Sequence, residues 1–174
     1  LLELALNSGR KRKSQQTGYL HHCYHLVENE PHLPIPLTEN FMFALALLRS
    51  RLVENIQEAK TILEGLLHFQ NHNPQDQSYG NFPIYLHDFP NCKDRFIGIQ
   101  VAAVIYWILK QFHQVIGQDL KKRLEESLLL SVKHALITYR EKPSSYPTAV
   151  KIATTAIATG HLIGDNQLAD EGTV

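Results

Sequence analysis

The sequence predicts an all-α protein built as an array of helical hairpins. Three observations carry that prediction. Segments that are apolar almost all round alternate with amphipathic ones. The apolar segments begin near Phe41, Phe96 and Thr148, a spacing of about fifty residues. Connections inside each pair are short, near Leu52 and 115–118, whereas the one between the first two pairs is long. Fixed periods of this size indicate units that bury their apolar faces against one another.

The chain opens with apolar residues 1–6 and then a basic run, Arg10 to Lys13, in a stretch rich in Gly, Ser and Gln. The apolar stretch is too short for a signal-peptide core, and its basic run follows rather than precedes it. Without an initiator Met, and ending as a further helix begins, the sequence is expected to be a fragment of a larger protein. The basic run is expected to form a solvated loop; contact with phosphates or an import signal is the sharper alternative. His21, His22, Cys23 and His25 include zinc-type donors, but adjacent histidines diverge and no second donor cluster appears, so no metal is expected. Residues 32–36 are Pro-rich and extended. Residues 1–37 thus read as helix, basic loop and connector, and 38–174 as the hairpin array.

The first buried-type helix is expected over 39–51, with Thr38 or Asn40 as N-cap. A helix apolar on every side, as here from Phe41 to Leu48, needs burial on every side. Over 54–70, Ile56, Ala59, Ile62, Leu63, Leu66 and Leu67 recur at helical spacing beneath Glu54, Glu58, Lys60 and Glu64, predicting an amphipathic partner. The pair recurs as 96–112 and 119–139, the latter with a stripe from Leu120 through Leu124, Leu128, Val132 and Leu136. Pro147 suits the first turn of a third buried-type helix, 148–163. Gly164 to Asn166 then recaps the chain toward a sixth. β-branched residues near 101–105 and 150–157 leave a strand reading open, but these segments are longer than most strands.

Composition excludes several classes. Apolar residues make up 44% and charged residues 20% of 174, ordinary for a globular chain. Lys plus Arg and Asp plus Glu both number 17, which argues against an electrostatic nucleic-acid partner. The longest apolar run, 101–109, is about half a membrane span, so no membrane partner is expected. Two cysteines cannot form a disulfide framework and favour a cytoplasmic location.

Leu66, Leu67, His68, Phe69 and Gln70, followed by Gln77, Ser78, Tyr79, Gly80, Asn81 and Phe82, form an apolar-Gln helix end before a Gly-x-aromatic turn. This resembles the repeat of the α/α toroids, which include the squalene-cyclase and prenyltransferase-like barrels, the polysaccharide lyases and the six-hairpin glycosidases. The resemblance implies a partial α/α toroid, with apolar inner helices and amphipathic outer ones, and a structural role for the turn itself. Phe82 stands where the repeat usually has Trp, and the second outer helix ends at Tyr139 to Lys142 without the Gln or Gly. No Asp-rich cyclase motif or zinc set is present, so cyclase and prenyltransferase chemistry is not carried over.

The connection 71–95 is the strongest site candidate, since loops of this length usually serve a function. It holds Tyr79, Asn81, Tyr85, His87, Asp88, Asn91, Asp94 and Arg95, with Phe82 and Phe89 as expected anchors. Aromatic faces beside amide and charged groups suit sugar rings. The leading expectation is therefore a carbohydrate-active protein of polysaccharide-lyase or glycosidase type. Tyr85 or His87 would act as base, and Arg95 or Asn81 would neutralise a substrate carboxylate. Tyr79, Asn81, Asp88, Asn91 and Asp94 would bind substrate. Asp88 and Asp94 could instead form a glycosidase carboxylate pair, and Asp94 with Arg95 could simply cap the next helix. No phosphate loop, dinucleotide fingerprint or nucleophile elbow occurs, and no cofactor is expected. Two other readings compete: a non-enzymatic repeat scaffold that binds a protein on its loop face, and a lipid-binding apolar cavity.

Overall fold

The computed structural model describes residues 1–21 and 34–173. Among these residues the protein is all-α, with α1 (Leu2–Arg12), α2 (Leu37–Arg49), α3 (Val53–Leu67), α4 (Ile97–Phe112), α5 (Gln118–Glu141), α6 (Tyr146–Ile163) and α7 (Asn166–Glu171). One 3-10 turn, Leu86–Asp88, interrupts the connection between α3 and α4. The β-branched stretches that left a strand reading open lie inside α4 and α6. None of the described helices is long and apolar enough to cross a membrane.

Neighbouring helices pack in pairs: α2 with α3, α4 with α5, α6 with α7. Helices α2, α4 and α6 also pack side by side, while α5 touches both α3 and α6. The core lies between these layers, where Phe41, Leu47, Leu63, Leu66, Ile105, Ile108, Leu124 and Leu128 are fully buried. Burying each such side chain contributes about 1.5–3 kcal/mol before entropy is counted.

Local chemistry sets the helix ends. Helix α6 begins with Pro147 in its first turn, where the missing N–H has no partner to lose. Gly164, at φ 76°, ends it, and the Asp165 carboxylate accepts the Leu168 N–H at 3.0 Å to start α7. Helix α2 departs from expectation. It starts at Leu37 with Pro36 as N-cap, so neither Thr38 nor Asn40 caps it. The buried Asn40 amide instead accepts from Leu20 N and donates to the carbonyls of Leu20 and Pro36.

The apolar-all-round helices are not buried all round. Met42 of α2 is 54% exposed, Trp107 of α4 47% and Val150 of α6 41%. Each helix buries the face toward its partners, and no described element covers the remainder.

The basic run is not a solvated loop. Arg10 and Arg12 occupy the last turn of α1, which packs on α2. Arg10 reaches Asn55 at 2.6 Å, Arg12 pairs with Glu39 at 2.7 Å and Lys13 with Glu58 at 2.5 Å. Such partly exposed pairs contribute about 1 kcal/mol or less each. Glu39 and Glu58 nonetheless offset part of their charge within the fold, which weakens the basis for a phosphate or import reading. Residues 22, 23 and 25 of the histidine–cysteine cluster lie outside the described residues. Among the described ones, no group of three His, Cys, Asp or Glu side chains converges on a metal position.

Candidate functional site

The connection from α3 to α4 is built on Gln70. Its side chain is 1% exposed, and Nε2 lies within hydrogen-bond reach of Gly80 O (2.9 Å), Ser131 Oγ (3.0 Å) and Ser127 O (3.1 Å). Ser131 Oγ also donates to Gly80 O at 3.2 Å. One amide therefore joins the end of α3 to the turn at Gly80 and to the middle of α5. Gly80 donates its N–H to Asn71 O, and Asn71 donates to Asn81 O, closing the base of the loop. Only glycine suits position 80: φ is +91°, and a Cβ would stand 2.7 Å from Leu130 O.

Asn81 continues the structure into α4. It is 0% exposed, its Nδ2 donates to Asp94 O at 2.7 Å, and its Oδ1 accepts Gly98 N–H at 2.8 Å. The Asp94 carboxylate accepts Phe96 N–H at 2.8 Å, so two side chains satisfy two of the donors at the start of α4. Phe82 is wholly buried, edge-on to Phe41 at 5.7 Å. Phe89 meets Phe69 edge-on at 5.8 Å, although it stays 40% exposed.

Between this connection and α5 lies an open groove of about 970 Å³. The loop contributes Asp76, Tyr79, Asn81, Asn91, Lys93 and Arg95, and α5 contributes Lys133, His134, Thr138, Glu141 and Lys142. Its charged groups are four cations, Lys93, Arg95, Lys133 and Lys142, against Asp76 and Glu141. A net positive groove on a chain of zero formal charge is a concentration of charge. Arg95 stands over the Phe96 ring at 5.2 Å. The Asp76 carboxyl is held below its usual range by hydrogen bonds from Ser78 N and Ser78 Oγ, so it stays ionised.

Among the described residues, His134 is the one histidine lining this groove. It is 8% exposed, and its Nε2 lies 3.2 Å from Arg95 O and 3.4 Å from Thr138 Oγ1. Burial pushes its pKa below 6.5, against opposing hydrogen bonds to the backbone of Arg95 and Tyr79 and the charge of Glu141. The imidazole is therefore neutral at pH 7 and acts as a pin between α5 and the loop. Burial also pushes the Cys92 thiol up, away from thiolate chemistry.

The expected site residues divide. Tyr79, Asn81, Asn91 and Arg95 line the groove, whereas Tyr85, His87, Asp88 and Asp94 do not. Residues 84–86 instead run beside the start of α2, with Leu37 N bonded to Ile84 O and Leu86 N to Ile35 O. There Tyr85 and His87 stack at 5.6 Å, and His87 lies 3.9 Å from Asp88. The structure thus does not bring a Tyr85 or His87 base together with an Arg95 neutraliser in one groove. Sequence reasoning missed the α5 wall: Leu130, Lys133, His134, Ile137, Thr138 and Glu141. Their three-and-four spacing on one helix face was the available signal.

Protein-family models, curated proteins and solved structures were all compared with this chain, and none matches it.

Proposed function

We propose that this chain binds an acidic oligosaccharide in the groove between the α3–α4 connection and α5, as part of an α/α-hairpin protein of toroid type. The observation that carries the reading is the cationic, aromatic-edged groove. Lys93, Arg95, Lys133 and Lys142 offer charge to ring carboxylates, and Tyr79, 40% exposed, offers a face for sugar C–H groups. The pairwise packing of α2 to α7, with α2, α4 and α6 in contact, supports the toroid-segment reading. Recognition is the function assigned, because the buried histidine of the groove is committed to the fold. Its Nε2 is engaged with Arg95 O.

Calorimetric titration with tetragalacturonate tests this. Binding should weaken as salt rises, since exposed charges are screened over about 10 Å at 0.1 M. The K93A/R95A/K142A variant should lose about tenfold or more in affinity, as expected for removing several charge-assisted contacts. No binding by the intact chain, or equal binding by the variant, would overturn the reading.

One observation favours a second reading, a helical scaffold that docks another protein: α2, α4 and α6 expose Met42, Trp107 and Val150. Substituting these with Ser should leave tetragalacturonate binding unchanged if the groove is the site.

A further inference from the structure

A smaller groove of about 530 Å³ adjoins the first and shares Tyr79, Leu130 and Lys133 with it. Two of its lining residues are almost wholly buried, Gln70 at 1% and Ser127 at 3% exposure. Gln70 Oε1 and Ser127 Oγ both lack any hydrogen-bond partner. The amide cannot be turned to cure this, because Nε2 faces two carbonyls, Gly80 O and Ser127 O, that would repel an oxygen. The bond from Gln70 Nε2 to the main-chain Ser127 O makes the two residues neighbours. Buried polar groups in folded proteins are nearly always paired, and an orphan calls for an explanation such as a missing ligand.

We infer that the smaller groove is a second saccharide subsite, taking a hydroxyl-bearing ring whose hydroxyls pair with Gln70 Oε1 and Ser127 Oγ. The inference rests on the saccharide reading and extends it by one unit. Ring hydroxyls can both donate to Gln70 Oε1 and accept from Ser127 Oγ–H, the bonds these two atoms lack. Both orphan atoms are sealed from solvent in the free chain, so the ring reaches them only as side chains lining the groove shift.

The test uses the isotope-labelled chain, its Ser127→Ala variant and the K93A/R95A/K142A variant, each titrated by NMR with methyl glycosides of glucose, galactose and mannose. At least one glycoside should shift the amides of Gln70, Ser127 and Leu130 in the parent chain and in the triple variant. Its affinity should fall about tenfold in Ser127→Ala, the loss expected for one hydrogen bond. Ser127→Ala should keep or raise the thermal midpoint, because the hydroxyl it removes has no partner in the fold. No shift in the parent chain, or an affinity unchanged in Ser127→Ala, overturns the subsite. Tetragalacturonate added to the same three samples judges the acidic groove separately, since its binding depends on the triple variant.

Discussion

The two halves of the α3–α4 connection are built by different means. Gln70, Asn71, Gly80, Asn81 and Phe82 are buried and tied by side-chain amides to α4 and α5. Residues 84–93 carry more aromatic and titratable groups, but they are held mainly by short turns and by backbone bonds to residues 35–37. The half that looks chemically quiet carries the architecture, and the half that looks reactive lies mostly outside the groove. A loop with polar residues throughout therefore cannot be read as one site. Each polar group must first be checked for what the fold asks of it.

The largest effect should come from breaking the first half. Gln70→Ala strips the shared donor from Gly80 O and Ser127 O and should cost about 3 kcal/mol, the range for an emptied buried polar network. Gly80→Ala should cost at least about 2 kcal/mol, from its positive φ and the collision with Leu130 O. Urea unfolding with an unchanged slope would measure both losses. Asn81→Ala comes next, at about 2 kcal/mol, because Gly98 N–H and Asp94 O lose their partner together. In the second half, His87→Ala should change stability by less than about 0.5 kcal/mol, since the side chain is 62% exposed. A His87 effect as large as that of Asn81 would erase the distinction between the halves.

The subtlest effect is visible only against pH. Because the folded pKa of His134 is depressed, the unfolded chain takes up the proton first as pH falls below about 6.5. Its contribution is thus fully present above that pH and is lost as pH falls through the lower folded value. Thermal midpoints followed from pH 7.5 to 5 should decline in the parent chain. His134→Gln should flatten that decline, and an unchanged slope would remove His134 from the account.

Much of the fold was legible because its helices follow the hydrophobic period. The six helices expected from residue 39 onward correspond to α2 to α7, the first five with ends within a few residues. The toroid resemblance at Gln70, Gly80 and Phe82 implied a structural turn, and these three residues are buried in the connection. Exposure was less legible. Met42 and Trp107 sit in uniformly apolar stretches, and only the arrangement of neighbouring helices shows which face stays open. The basic run was misread because its partners Glu39 and Glu58 lie 27 and 45 positions away. Lys133, His134 and Thr138 escaped notice for a similar reason. In sequence they are an ordinary polar face of an amphipathic helix, and only folding carries the loop across to them.

Native-state hydrogen exchange tests the division of the connection most directly. The amides of Asn71, Gly80 and Gly98 donate inside the clamped half, to Asn81 O, Asn71 O and Asn81 Oδ1 respectively. They should open only with much of the fold, at least about a hundredfold more slowly than the turn amides of residues 87–93. Gln70→Ala should collapse that difference while leaving the rates at 87–93 unchanged. Equal protection across both halves, or protection at Gly80 that survives Gln70→Ala, would contradict the account.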